Sequence, residues 1–257
     1  MLGFNGGLIG ATRNTTIQAS VSGIWTLGEQ LRARRESLWP VVAPTYFDPY
    51  ASFVSLFLKG DGPNASTTFI DSSPAPKTVT AFGNAQISTA QSKFGGASML
   101  FDGSGNYLSV SSSSALTLGT GDFTIEFWLY PTSSLAYHRA IIDTRSGFTD
   151  TGVAFFQYGL VLEVYGSNLK VSSAAAALTI NTWQHVALVR QSGTCQIYVG
   201  GTASGSSATY SSNLTSSVVR IAQNVANSHF YVGYIDDLRI TKGIARYTAN
   251  FTPPGAL

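Results

Sequence analysis

The stretch "DFTIEFWLY", residues 122–130, decides the fold class. Its apolar side chains alternate: Phe123, Ile125, Phe127 and Leu129 on one side, Thr124, Glu126, Trp128 and Tyr130 on the other. Period two belongs to a β-strand, whose successive side chains point to opposite faces. The same kind of segment recurs downstream as "LVLEVYG" (160–166), "NTWQHVALVRQ" (181–191), "CQIYVGG" (195–201), "SVVRIAQN" (217–224) and "YVGYIDDLRI" (231–240). Upstream, "FVSLFL" (53–58) is an apolar run of strand length, and "ASMLFDGSGNYLSV" (97–110) reads as two strands joined by a glycine-rich turn. The clusters "DGPNAS" (61–66) and "SSPAPK" (72–77) are turn-forming. No useful helical period follows residue 50, and "SSAAAALTI" (172–180) reads as a loop leading into a strand despite its alanines. Many short strands with polar turns predict an all-β, antiparallel two-sheet β-sandwich of jelly-roll type from residue 51 to residue 257.

Residues 1–50 differ. "GIWTLGEQLRARRESLWP" pairs Thr26 with Glu29 as a capping box and sets Leu27, Leu31 and Leu38 on one helical stripe, which predicts a short helix over about 27–38 that Pro40 ends. A helix of about three turns is marginal alone in water. The segment reads either as folding back on its own domain or as a short N-terminal arm docked on another protein. In the second case Trp25, Leu31 and Trp39 are the apolar anchors, and Arg32, Arg34 and Arg35 meet carboxylates.

Composition narrows the function. Of 257 residues only 11% are charged, well below the roughly 25% of ordinary soluble domains. A net charge of +2, with no basic run in the C-terminal 200 residues, argues against nucleic acid. The opening "MLGFNGGLIGATRNTT" has neither the basic region nor the apolar run of a secretory signal, and nowhere do about 18 apolar residues run together, so neither export by that route nor a membrane partner is expected. The hydroxyl-rich surface nonetheless suits work outside a cell, and assembly in a host cytoplasm followed by lytic release reconciles the two. The single cysteine, Cys195, alternates with Ile197 and Val199 and is expected as a core thiol.

The stretches "SKFGGASMLFDGSGNYLSVSSSSALTLGTGDFTIEFWLYPTS", "NTWQHVALVRQSGTCQIYVGG" and "YIDDLRITKGIARYTANFTPP" resemble the laminin-G-like, concanavalin A-like sandwich domain in the form found in proteins of tailed bacteriophages. The likeness runs over about residues 52–254. The N-terminal segment also resembles a leader of marine phage virion proteins. The resemblance implies a structural protein on the virion surface, as head decoration or tail component, with other virion proteins and host-surface glycans as partners. It also implies a homo-oligomer such as a trimer, although no coiled-coil heptads accompany it. A tail-fibre adhesin, a glycan-degrading enzyme and a lectin released by lysis are the alternatives.

Sites must decide among these readings. A glycosidase needs two carboxyl groups facing across a cleft. The glucanases of this fold, as the resemblance implies, carry a Glu-x-Asp-x-x-Glu strand, and here Glu126 stands alone, so no catalytic residue is assigned. Asp236 and Asp237 are adjacent and cannot share a face of a regular strand; Ile235 and Leu238, both core candidates, are three apart, which predicts a β-bulge between them. There one aspartate would accept loop N–H groups and the other approach Arg239 or a cation. His185 is expected as a packed strand residue. No cofactor is required, though Asp61, Asp71, Asp236, Asp237 and the Asp102–Asn106 turn are candidate calcium ligands. The loops "SSLAYHR", "RSGFTDTG" and "AQNVANSHFY" offer Tyr137, His138, Phe148, Asn224, Asn227 and His229 as candidate glycan contacts.

Overall fold

The computed structural model describes residues 48–255, which lie within one unit, Asp48–Leu257. The expected helix over 27–38 and its anchors Trp25, Leu31, Arg32, Arg34, Arg35 and Trp39 lie outside the described residues. Fifteen strands follow one another: β1 (Val54–Leu58), β2 (Val79–Phe82), β3 (Gln86–Ser88), β4 (Ser98–Asp102), β5 (Tyr107–Val110), β6 (Phe123–Pro131), β7 (His138–Asp143), β8 (Ala154–Tyr158), β9 (Val161–Tyr165), β10 (Leu169–Ser172), β11 (Gln184–Gln191), β12 (Thr194–Val199), β13 (Thr202–Thr209), β14 (Val219–Ile221) and β15 (Val232–Lys242). The only helical pieces among the described residues are two three-residue 3-10 turns, at Ala51–Phe53 and Ser114–Leu116.

The strands form two antiparallel sheets. The first runs β13-β12-β11-β6-β15-β4-β3, with β1 also paired to β15, and the second runs β10-β9-β8-β7-β14-β5-β2. β4 and β5, joined by the glycine-rich turn, belong to different sheets, so that turn carries the chain across the sandwich. Gly103 and Gly105 take positive φ there, which a side chain resists.

The alternation of "FTIEFWLY" holds: Phe123, Ile125, Phe127 and Leu129 enter the core between the sheets with Phe155, Val164, Leu188 and Ile221. Each such side chain contributes about 1.5–3 kcal/mol by leaving water. Cys195 joins this core, and burial pushes its thiol up to about 12 despite the Arg190 charge.

The opposite row, Thr124, Glu126 and Trp128, is buried as well. The chain after β15 folds back over the outer face of the first sheet. Its Tyr247 and Phe251 rings stack at 3.5 Å and pack over Ala187, Val189 and Tyr198. The Phe251 N–H donates to the Gly201 carbonyl, and Asn250 Oδ1 accepts from the Ala203 N–H, which ties the segment to the β12–β13 hairpin.

The expected bulge is present. Asp236 pairs with Trp128 but Arg239 with Glu126, so β15 spends three steps where β6 spends two, and Asp237 takes a positive φ of 46°.

Candidate functional site

Two clusters of polar and aromatic side chains stand out, one on the outer face of each sheet. On the first sheet Glu126 is 0% exposed. Arg239 Nε and Nη2 donate to its Oε1 at 2.9 and 2.8 Å, the Tyr247 hydroxyl donates to Oε2 at 2.6 Å, and His185 Nε2 lies 3.2 Å from Oε2. Arg239 reaches on to Asp48 at 3.0 Å, and Arg246 grips both Asp48 oxygens at 2.8 Å. Burial alone would raise the Glu126 pKa; the His185 hydrogen bond, the Arg239 charge and the Tyr247 hydroxyl outweigh it and hold it at about 2. With every carboxylate oxygen engaged beneath Tyr247, this cluster is a clasp between β6, β11, β15, the C-terminal segment and the entry at Asp48. His185 is the packed strand residue that its position in "WQHVALVR" predicts.

Two of the candidate calcium aspartates, Asp71 and Asp236, are held by the chain's own N–H groups. Asp71 accepts from the N–H groups of Phe57, Ser73 and Lys77 and pairs with the Lys77 ammonium at 3.5 Å. Asp236 accepts from Lys93 and Phe94 through Oδ2 and from the Asp237 N–H through Oδ1. That is the loop-capping role expected of one aspartate at the bulge. Burial raises the Asp236 carboxyl to about 7, with the Asp237 charge adding to it, against these N–H donors. Gly95 packs against the Asp61 carboxylate so closely that a side chain there would overlap it. No group of three or more His, Cys, Asp or Glu placed to share a metal ion occurs among the described residues.

On the second sheet the outward positions carry aromatic rings where an exposed sheet face ordinarily carries polar residues. His138 on β7 packs edge-on against Phe156 at 5.6 Å and Tyr165 at 5.7 Å, and lies 4.7 Å from Tyr158. Its Nε2 is 2.9 Å from Glu163 Oε2, and the Tyr165 hydroxyl donates to the same oxygen at 3.1 Å. Burial and the Glu163 charge raise the Tyr165 pKa, so that hydroxyl stays a donor.

Over this floor lies the loop 223–230. The Val225 N–H donates to Asp143 Oδ2, and Asn224 Oδ1 accepts from the Ser228 N–H and hydroxyl. Asn224 Nδ2 sits 2.9 Å from His229 Nδ1, and Asn227 accepts from Gln223 Nε2. Asn227 and His229 both take positive φ, uncommon for side-chain-bearing residues, and the loop sets the His229 ring flat against Tyr137 at 5.2 Å and 14°. Burial and the nearby His138 lower the His229 pKa, which favours the neutral imidazole. Tyr137 remains 51% exposed.

Tyr137 on its loop, His138 at the start of β7 and Asn224, Asn227 and His229 on the loop 223–230 thus gather at one place, but Asn224, expected as a glycan contact, is buried and spends its amide on the loop's own hydrogen bonds. Phe148 stands apart and exposed, with the Arg145 guanidinium 5.6 Å from its ring and 5.9 Å from Phe156. Phe156, Tyr158, Glu163, Tyr165 and Arg139, whose guanidinium lies 6.0 Å from the Tyr137 ring, were not foreseen as members. The available signal was aromatic residues at alternate positions of "FFQY" and "LEVY", on the side opposite Phe155, Leu162 and Val164.

Two sheets with a shallow aromatic and amide face, and a strand carboxylate locked in a clasp, define a lectin-like β-sandwich. The chain belongs to the concanavalin A-like lectin/glucanases superfamily, whose laminin-G family model matches residues 102–245. No curated protein matches it. Among solved structures it is similar to the binding domain of Paraclostridial Mosquitocidal Protein 1, at 14% identity, TM-score 0.58, over 75% of this chain and 49% of that one. The botulinum neurotoxin serotype D/C VPI 5993 binding domain is 18% identical, TM-score 0.56, over 76% and 50%. A botulinum neurotoxin DC binding domain in complex with SialylT is 17% identical, TM-score 0.53, over 76% and 49%. The chain spans about half the length of these structures, and at such identities the likeness is one of fold.

Proposed function

We propose that this chain is a non-enzymatic surface protein of a tailed-phage particle, and that its sandwich binds host-surface glycans through the Tyr137, His138 and His229 face. The observation that carries the glycan reading is the exposed Tyr137 ring stacked on His229, with the His138 imidazole and the Glu163 carboxylate close by. Sugars present apolar faces to rings and hydroxyls to amides and carboxylates, and a preformed ring costs little entropy to use. The neighbour in complex with SialylT supports the same direction. The virion reading rests on the sequence resemblance and on the charge-poor, hydroxyl-rich composition; head decoration and tail attachment are its two forms. The clasp around Glu126 supports the absence of catalysis there, since a carboxylate at about 2 with both oxygens occupied is a poor acid and an obstructed nucleophile.

Two experiments test this. On an array of bacterial surface glycans the full chain is expected to bind a defined subset, and Tyr137→Ala to lose at least about tenfold in affinity. Antibody against residues 52–257 is expected to decorate intact particles, evenly over the head for a decoration protein or at the tail for an adhesin. Particles lacking the protein overturn the virion reading, and an array without binders overturns the glycan one.

A further inference from the structure

The rings on the outer face of the second sheet do not end at Tyr137. Phe82 on the edge strand β2 lies directly across from Tyr107 on β5, and the two rings stack at 4.5 Å and 3°. Tyr107 is followed by Phe230 at 6.4 Å, and Phe230 adjoins His229 in the chain. From there the row continues through Tyr137 and His138 to Tyr158 on β8. Phe82 and Tyr158, at its two ends, are 40% and 38% exposed. Among the described residues no strand lies beyond Phe82 on the side turned away from Tyr107.

The sheet order β8-β7-β14-β5-β2 sets the length of this row. Four strand spacings make it about 19 Å, several times the width of one sugar ring. A second outward row runs beside it, one strand repeat away: Thr80 on β2, Ser109 on β5 and Arg220 on β14 are aligned by register. A strip of rings flanked by hydroxyls and a guanidinium matches a chain of linked sugars lying across the strands better than a single sugar seated in a cup. The aromatic strip far exceeds what an exposed sheet face needs for folding, because these rings lie outside the core between the sheets.

We infer, resting on the reading of this face as a glycan site, that its ligand is a linear oligosaccharide of several rings. It crosses from β8 to β2, with Tyr137 and His229 contacting one part of the chain and Phe82 and Tyr107 a distant part, while Thr80, Ser109 and Arg220 address the hydroxyls between.

The test uses the full chain and those array glycans that bind it, each prepared as a series from one ring to the full repeat-containing chain. Affinity is expected to climb with length until the strip is filled. Phe82→Ala is expected to remove about tenfold from the longest members and leave the shortest within about twofold, and Phe82→Tyr is expected to restore the long-chain affinity. Equal affinity of short and long members, or a Phe82→Ala protein that holds the longest member as tightly as wild type, overturns the extended site while leaving the Tyr137 face standing. If no array member binds in any length, the glycan reading itself falls and the extended site with it.

Discussion

Replacing Glu126 by Gln removes one charge from the clasp at nearly constant shape. Its carboxyl is held at about 2 against an ordinary 4.5, and at ~1.4 kcal/mol per pKa unit this amounts to ~3 kcal/mol of folding stability. The sign follows from a depressed carboxylate: the contribution is fully present above pH 4.5 and is lost as pH falls through about 2. In the variant, the guanidinium of Arg239 loses its shortest pair and keeps Asp48 at 3.0 Å. The cost at pH 7 is therefore expected near the lower end of the 3–5 kcal/mol typical of a broken buried pair, about 3 kcal/mol. With a urea m-value of about 2 kcal/mol/M the midpoint drops by about 1.5 M. Urea denaturation of wild type and Glu126→Gln from pH 2 to pH 7 reads both features. Wild type is expected to lose more stability than the variant on acidification, so that the two curves converge toward pH 2. A variant with the wild-type midpoint at pH 7, or with the same acid slope, refutes the assignment of Glu126 as the charged centre of the clasp.

Three further outcomes are expected. Asp236, raised to about 7 against 3.8, has the opposite sign: the folded protein holds its proton more firmly than the unfolded chain, so its contribution is present below about 3.8 and is lost as pH rises through 7. Asp236→Asn, which does not titrate, should then gain melting temperature relative to wild type as pH rises from 4 to 7. Gly201 takes φ of 79°, and a side chain there would overlap the Phe251 carbonyl; Gly201→Ala is expected to cost about 1–3 kcal/mol and to speed hydrogen exchange at the Phe251 amide. The Cys195 thiol, buried and pushed up to about 12, is expected to ignore a thiol-directed disulfide reagent in the native protein and to react fully in urea.

The strands were legible where one face meets the core. Phe123 to Leu129 alternate because burial selects every second residue, and the three-residue step from Ile235 to Leu238 betrayed the bulge for the same reason. The burial of Thr124, Glu126 and His185 on the opposite face was not legible. It depends on "ARYTANFTPP" folding back, and that segment has no strand period to announce where it goes. Gathering Tyr137 with His229 was half legible: turn residues and rings marked both loops as candidates, but their meeting needs the β7–β14 pairing. Phe82, Tyr107 and Tyr158 look like ordinary strand aromatics until the sheet register shows that they face outward together.

The most direct measurement is a magnetic-resonance titration of the full chain with a glycan that binds it on the array, following the imidazole signals of His138, His185 and His229. If the outer face of the second sheet is the site, His138 and His229 shift on binding and His185, inside the clasp on the other sheet, does not. Shifts at His185 with His138 and His229 unmoved would place the ligand on the opposite face and contradict the site.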